Sequence, residues 1–208
     1  MEITITLDTK AMSSEFRKEL ACITDNNRAL SVLAEDEDVE VRQAVAENPS
    51  TPTEILSMLA KDEDYDVITA VAENPNTPTE ILSVLAEDED NNVRGAVASN
   101  PNTPKETLSE LAKDDEWIIE AVAKNPNTST ETLSLLAKDT DPDVRIYVAE
   151  NPSTPTEILS KLATDKIWYV RENVAGNHNT SQEILSMLAN DEDCDVRLAA
   201  VNNPNFKR

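Results

Sequence analysis

The chain has 208 residues, of which 41 are acidic and 18 basic, so its formal net charge at pH 7 is −23. Hydrophobic residues make up 39% of the chain, enough for a folded core, which excludes a disordered acidic tail. Because phosphate binding requires clustered lysine and arginine, the charge also argues against direct nucleic-acid binding.

No segment has the roughly 18 consecutive apolar residues of a transmembrane helix. The first residues, MEITITLDTK, lack the basic and then apolar pattern of a secretory signal. We therefore expect a cytoplasmic protein that does not contact a membrane.

Residues 1–23 differ from the rest of the chain. MEITITLD alternates apolar and polar residues as a strand does, and SSEFRKELAC has a helical pattern. We predict that this segment is an N-terminal cap on a single domain that covers residues 24–208.

An Asn-Pro step recurs along that domain with a period of 26 residues, apart from one spacing of 25. The steps begin at Asn48, Asn74, Asn100, Asn125, Asn151 and Asn203. In the remaining place His178 follows Asn177 where the other copies have Pro. A fixed period in this range is typical of stacked repeats, and it predicts an all-α solenoid of seven two-helix repeats.

Each repeat divides into two short helices. The first follows a Thr-Pro-x-Glu segment, such as Thr51 to Glu54, which predicts Thr as the N-cap and Pro as the first helical residue. An apolar stripe at helical spacing comes next, such as Ile55, Leu56 and Leu59. The second helix follows an acidic turn, and at about eight residues it could be α or 3-10. Helices this short are unstable alone, so each repeat must bury the apolar surface of its neighbour.

The segment TPTEILSMLAKDEDYDVITAVAENP resembles the leucine-rich repeat variant family and, more loosely, HEAT-type helical repeats. The resemblance rests on T-P-x-E-x-L-x-x-L-A followed by D-x-x-V-R-x-A-V-A-x-N-P, and it covers roughly residues 24–205. It implies a right-handed superhelix of alternating α- and 3-10 helices. One member type carries a cysteine-bound iron–sulfur cluster before its repeats. Since the matching segment here has only Cys22, we expect no cofactor.

Alternating aspartates in the turns between the two helices allow two interpretations. They are Asp62, Asp64, Asp66, Asp139, Asp141, Asp143, Asp191, Asp193 and Asp195. Such oxygen ligands could begin a calcium-binding loop, but Val67 occupies the sixth position, where that loop needs Gly. We therefore favour helix caps over calcium ligands and expect no metal site.

Arginine occupies one position of the second helix in five repeats, at Arg42, Arg94, Arg145, Arg171 and Arg197. A row of this kind could bind an anion. HEAT-type repeats often pair such an arginine with an aspartate of the same or the adjacent repeat, and acidic neighbours are abundant here. We favour a structural ladder.

The position after this arginine varies most between repeats, whereas a position that only supports the stack is uniform, as Ala70 and Ala96 are. Its occupants are Gln43, Thr69, Gly95, Glu120, Ile146, Glu172 and Leu198. Aromatic residues lie in or beside the same segments, at Tyr65, Trp117, Tyr147, Trp168 and Tyr169. Because a solenoid presents one repeat position along one face, these residues are candidates for binding a partner. Relaxed selection at an exposed position and local packing of the aromatic rings are the alternatives.

Catalysis has little support, because His178 is the only histidine and no nucleophile and base recur around it. Cys22 and Cys194 lie near opposite ends of the predicted stack, too far apart for a disulfide. We expect a non-enzymatic scaffold that binds a basic protein or peptide along the second helices. An acidic mimic of nucleic acid and a calcium-responsive repeat module are the alternative functions. Self-association through the C-terminal end is also open.

Overall fold

The structure is a computed structural model that describes residues 12–207. These residues form fifteen α-helices and no β-strand. The strand-like segment MEITITLD lies outside the described residues. None of the described helices combines the length and the apolar character needed to cross a membrane.

The chain divides into two compact units, Met1–Thr103 (unit 1) and Pro104–Arg208 (unit 2). Unit 1 contains α1 Ser14–Ile23, α2 Asn27–Leu33, α3 Val39–Glu47, α4 Thr53–Leu59, α5 Tyr65–Glu73, α6 Thr79–Leu85 and α7 Asn91–Ser99. Unit 2 contains α8 Lys105–Leu111, α9 Glu116–Lys124, α10 Thr130–Leu136, α11 Pro142–Glu150, α12 Thr156–Leu162, α13 Trp168–Gly176, α14 Gln182–Leu188 and α15 Cys194–Asn202.

The helices from α2 to α15 form seven consecutive pairs, which confirms the predicted all-α fold of seven two-helix repeats. The second helix of every pair is an α-helix of nine residues, such as α5 and α13. The described pairs therefore lack the alternation with 3-10 helices that the family resemblance implied.

The first helix of a repeat begins one residue later than its sequence pattern predicts. Pro52 is the N-cap of α4 in an extended conformation, and Thr53 is the first helical residue. Thr51 is buried, and its hydroxyl donates a 2.6 Å hydrogen bond to the carbonyl oxygen of Val45. The prediction of Thr51 as the N-cap is therefore wrong, because its hydroxyl is the second donor to a carbonyl near the end of the preceding helix, beside the Asn48 amide.

Five of the seven second helices begin at an aspartate of the acidic turn whose carboxylate caps the helix, the exceptions being α9 and α13. Asp64 is the N-cap of α5, and its carboxylate accepts a hydrogen bond from the backbone N–H of Asp66. Such a cap satisfies one of the free amides of the first turn, and the negative charge lies at the positive end of the helix dipole. Asp38, Asp90, Asp141 and Asp193 cap their helices in the same way.

Packing follows the repeat within each unit. Successive second helices contact each other, as α3, α5 and α7 do in unit 1 and α9, α11, α13 and α15 do in unit 2. Each first helix contacts the second helix of its own repeat and buries leucines, such as Leu56 and Leu59 of α4. Burial of one leucine side chain stabilises the fold by about 1.5–3 kcal/mol, which is how helices of seven and nine residues persist.

Helix α1 takes the place of a second helix before the first pair. It packs on α3, and Arg17 pairs with Asp36 at 2.7 Å in the manner of the ladder arginines. Asn48 Nδ2 donates to the carbonyl oxygens of Ala21 and Thr24, and Asn74 Nδ2 makes the corresponding bonds to Ala46 and Asn48. The spacing of 25 residues from Arg17 to Arg42 is the sequence signal for this eighth stacked helix. The assignment of residues 1–23 as a cap stays a prediction.

Candidate functional site on the second helices

Three ladder arginines, Arg42, Arg145 and Arg171, join their second helix to the following repeat. Arg171 Nε and Nη2 each donate a 2.7 Å hydrogen bond to the carboxylate of Asp191, while Nη1 donates to the Asp165 carbonyl oxygen of its own turn. The hydrogen bonds from Arg171 hold the pKa of the Asp191 carboxyl below its usual value. Equivalent carboxylate pairs join Arg42 to Asp62 and Arg145 to Asp165. The donors that an anion would need are thus engaged within the stack.

The two other ladder arginines also bind their own turns. Arg94 Nη1 donates to the carbonyl oxygens of Asp88 and Glu89. Arg197 Nη1 donates to the carbonyl oxygens of Asp191 and Glu192. This position therefore orders the acidic turn in every repeat where arginine occupies it.

The Asn of the Asn-Pro steps forms a second ladder, which the sequence pattern did not predict. Asn151 is buried, and its Nδ2 donates to the carbonyl oxygens of Ala123 and Asn125 at 2.7 and 2.8 Å. Its Oδ1 accepts a hydrogen bond from the Ser153 amide at 2.8 Å. Equivalent bonds to the preceding repeat are made by Asn74, Asn100, Asn177 and Asn203. Asn recurs in every copy of the repeat, and this recurrence was the available sequence signal. The hydrogen bonds show that the Asn side chain holds a repeat against the preceding one.

The second, fifth, sixth and ninth residues of each second helix lie on one side of that helix, which we call the second-helix face. In unit 2 these places hold mostly large or charged residues, namely Trp117, Glu120, Ala121, Lys124, Asp143, Ile146, Tyr147, Glu150, Tyr169, Glu172, Asn173, Gly176, Asp195, Leu198, Ala199 and Asn202. In unit 1 the fifth and sixth places hold smaller residues, namely Gln43, Ala44, Thr69, Ala70, Gly95 and Ala96. At the fifth and sixth places unit 2 thus carries mostly larger residues than unit 1, whose Ala44, Ala70 and Ala96 are buried in the core.

Aromatic rings on and beside this face of unit 2 are partly exposed. Trp117 is 43% exposed, and Trp168, the first residue of α13, is 39% exposed. The ring of Trp168 packs edge-on against Tyr169, with 5.3 Å between the ring centroids. Lys124 Nζ lies 3.5 Å from the centroid of the Tyr147 ring, a cation–π contact.

The other predicted partner-binding residues lie in unit 1 and make local contacts. Gln43 Nε2 donates to Glu47 Oε1 of the same helix at 2.9 Å, and Thr69 is half-buried. The Tyr65 hydroxyl donates to the Glu89 carboxylate, which raises the pKa of Tyr65. Three of the predicted partner-binding residues thus lie in unit 1 and eight in unit 2.

Carboxylates make the second-helix face of unit 2 negative. Burial and the nearby charges of Asp195 and Asp193 raise the pKa of Glu172. A hydrogen bond with Asp141 raises the pKa of Glu116, the first residue of α9. Like charges repel one another here, and a cationic group bound on this face would relieve that repulsion.

The calcium candidates serve largely as caps and ladder acceptors. Asp62 forms an ion pair with Arg42, Asp64 caps α5, and Asp66 is exposed. The turns Asp139–Asp143 and Asp191–Asp195 share one pattern of hydrogen bonds. In each turn the first and second aspartate carboxylates accept from the backbone amide two residues later. Asp193, Cys194 and Asp195 place ligand atoms within 4.8 Å of one another, but the Asp193 carboxylate already accepts from two backbone amides.

The remaining reactive residues lie in separate places. Cys22 of unit 1 and Cys194 of unit 2 are exposed and free. His178 is exposed in the turn after α13, where its carbonyl oxygen accepts a 2.6 Å hydrogen bond from Asn205 Nδ2. His178 and Gly176 border a cavity of about 320 Å³ that sequence reasoning missed. The available sequence signal for this cavity was that Gly176 replaces the Glu of the preceding repeat and His178 replaces the usual Pro.

These features define a scaffold of stacked two-helix repeats whose ladders are internal and whose exposed side chains vary. Models described as "Leucine Rich Repeat Variant domain" and "Leucine rich repeat variant" match residues 94–149 and residues 39–64 and 142–166, respectively. A solved structure described as a leucine-rich repeat variant with a novel repetitive protein structural motif is 32% identical, with a TM-score of 0.64. The match covers 93% of this chain and 78% of that chain. The chain belongs to the leucine-rich repeat variant family.

Two engineered or designed proteins are less similar. One engineered protein is 18% identical with a TM-score of 0.47, the match covering 92% of this chain and 74% of that chain. A designed armadillo repeat protein is 17% identical with a TM-score of 0.27, covering 94% of this chain and 92% of that chain. Comparison with curated proteins finds no match.

Proposed function

We propose that the protein is a non-enzymatic scaffold that binds a basic protein or peptide on the second-helix face of unit 2. Helical repeats of this kind supply extended surfaces for protein interaction. The observation that carries the proposal is the exposed surface of Trp117, Trp168 and Leu198 in unit 2, beside fifth- and sixth-place residues that are mostly larger than those of unit 1. Aromatic side chains of this kind are the usual anchors of a protein interface.

Charge supports a basic partner. Glu120, Glu150 and Glu172 lie on the same face as the aromatic residues, in a chain of net charge −23. Electrostatic complementarity would accelerate the encounter with a cationic partner at low salt and suppress binding of acidic ones.

The test is to select short random displayed peptides on the immobilised wild-type protein and then measure their affinity in solution. We expect the selected peptides to be enriched in lysine, arginine and aromatic residues. Trp117→Ala should weaken the best peptide at least about tenfold, as truncation of an interface anchor does.

Tyr65→Ala is the matched control, because Tyr65 is an aromatic residue of unit 1 with a similar exposure of 41%. It should leave the affinity within about threefold of wild type, a free-energy change too small for an anchor residue. Both variants must first show wild-type helical content. Equal binding by wild type and Trp117→Ala, or peptides without basic residues, would contradict the proposal.

We also propose that this role is cytoplasmic. Two exposed free cysteines are typical of a reducing compartment. Recovery of the protein from a membrane or secreted fraction would be evidence against this location.

A further inference from the structure

The cavity beside Gly176 lies at the C-terminal ends of α11 and α13 in unit 2. Its volume is about 320 Å³, and it is lined by Glu150, Pro152, Asn173, Gly176, Asn177 and His178. Gly176 is the ninth residue of α13, a place that Glu150 occupies in α11 and Lys124 in α9. The cavity therefore opens where this repeat lacks the long side chain of its neighbours.

Backbone geometry does not require the glycine. No described glycine has a positive φ, and a Cβ at Gly176 would meet no atom within 4 Å. Gly176 is the last residue of α13, and the space beside it is open because it carries no side chain.

The cavity presents acceptors and negative charge. Glu150 is exposed and carries a carboxylate. Asn173 Nδ2 donates to the Tyr169 carbonyl oxygen at 2.8 Å, and no described residue donates to Asn173 Oδ1. The C-terminal ends of α11 and α13 add the negative ends of two helix dipoles. These groups together favour a cation over an anion or an apolar group.

The same place one repeat earlier holds a cation of the chain itself. Lys124 is the counterpart of Glu150, and Tyr147 is the counterpart of Asn173. Lys124 Nζ lies 3.5 Å from the centroid of the Tyr147 ring, so an ammonium group is held between the end of one second helix and the middle of the next. At the Gly176 cavity the corresponding space has a carboxylate and an amide oxygen in place of the lysine and the ring.

We propose that the Gly176 cavity binds a cationic side chain of the partner, the ammonium of a lysine or the guanidinium of an arginine. This inference rests on the proposed function and names one subsite of it. The Glu150 carboxylate and Asn173 Oδ1 accept hydrogen bonds from the cation, and the space left by Gly176 accommodates the alkyl chain that carries it.

The experiment is a titration of the full-length protein with lysine, arginine and norleucine, each blocked at both ends, followed by amide NMR shifts. The amides of Gly176 and His178 report on the cavity, and His178 has an N–H that the usual proline of this turn lacks. We expect saturable shifts at these amides with blocked lysine or arginine, the larger response identifying the preferred cation. Blocked norleucine, which has a similar alkyl chain without the charge, should produce none. Equal shifts with norleucine would overturn the proposal.

Gly176→Lys is the variant that should lose binding, because its own side chain fills the cavity and places an ammonium group there. It should lower the affinity for the preferred blocked amino acid at least about tenfold, since its added positive charge repels a second cation. Ser99→Lys adds the same charge at the ninth place of α7 in unit 1 and should leave the affinity unchanged. Gly176→Ala, which adds only one methyl group, should also bind nearly as wild type does. Undiminished binding by Gly176→Lys would overturn the cavity as the site.

Failure of this inference can be separated from failure of the proposed function. If a selected basic peptide loses affinity with Trp117→Ala but binds Gly176→Lys as it binds wild type, the scaffold function stands and the cavity is not its subsite. If the peptide binds Trp117→Ala normally, the second-helix face itself is excluded, whatever the cavity does.

Discussion

At the residue scale, pairing between Arg and Asp makes the stability of the stack depend on pH. Asp191 lies in the turn of one repeat, and its carboxylate accepts two hydrogen bonds of 2.7 Å from Arg171 of the preceding repeat. The side chains of this pair are each 9% exposed, so water screens the interaction only partly. Removal of one partner leaves the other charge without its main hydrogen bonds.

Asp191→Asn should lower the free energy of unfolding by about 1–3 kcal/mol at neutral pH, the contribution of a hydrogen bond to a charged group. Because the folded-state pKa of Asp191 is depressed, its contribution is complete above the unfolded pKa of about 3.9. It is lost as the pH falls through the lower folded-state pKa. Urea unfolding of both proteins at a series of pH values measures the difference, which should close in that acidic range.

The exposed Asp143 provides the control for loss of one negative charge. Asp143→Asn should change the free energy of unfolding by less than about 0.5 kcal/mol, as is usual for a surface substitution. A difference between Asp191→Asn and wild type that persists unchanged below pH 3 would show that the ion pair is not its source.

At the scale of the elements, the first helices begin in two ways that are chemically different. In α4 the N-cap is Pro52, which makes no side-chain cap hydrogen bond. In α14 the N-cap is Ser181, whose hydroxyl accepts from the Ile184 amide at 3.4 Å. Proline restricts the unfolded chain, whereas serine satisfies an amide of the folded helix, so both residues favour the same helix start.

Ser181→Ala should lower the free energy of unfolding by about 0.5–2 kcal/mol, because the cap is lost and nothing replaces it. Ser181→Pro should be neutral or stabilise by up to about 1 kcal/mol, since Ser181 has a φ of −71°, close to that of proline. Thermal and urea unfolding of the two variants compare them directly. Equal destabilisation by alanine and proline would contradict this account of the helix start.

At the scale of the whole molecule, the net charge of −23 opposes folding through self-repulsion. The ladder pairs are short and partly buried, so added salt weakens them little, while the repulsion among exposed carboxylates is screened. Salt therefore destabilises the fold slightly by weakening the ladder pairs and stabilises it more strongly by screening the repulsion between carboxylates.

Raising the sodium chloride concentration from about 0.01 to 0.15 M shortens the Debye length from about 30 to 8 Å. The Tm should rise, by about 2–4 °C for each kcal/mol of repulsion removed. Calorimetry with calcium and magnesium chloride at the same ionic strength is the control. A rise specific to calcium would support the calcium-responsive alternative, and a fall in Tm with sodium chloride would contradict dominant self-repulsion.

The sequence by itself determined the architecture, because the 26-residue period repeats every local signal together. The apolar stripe of Ile55, Leu56 and Leu59, the acidic turn and the Asn-Pro step each predict one part of a two-helix unit. Helices of seven and nine residues are stable only when stacked, so the period requires a stack. The start of the first helix was misassigned because Thr51 bonds to a carbonyl of another helix.

Only the tertiary structure decided which repeated residues are internal and which are available to a partner. The sequence pattern treats Asn151 and Gly176 alike as residues near the end of a helix, yet one is buried in bonds to its neighbour and the other borders an open cavity. The tertiary structure also decided that Trp117 is 43% exposed while Ile146 and Tyr169 are half-buried. The reason is physical: local sequence fixes helices and turns through nearby backbone bonds, whereas exposure and convergence depend on which helix packs beside which.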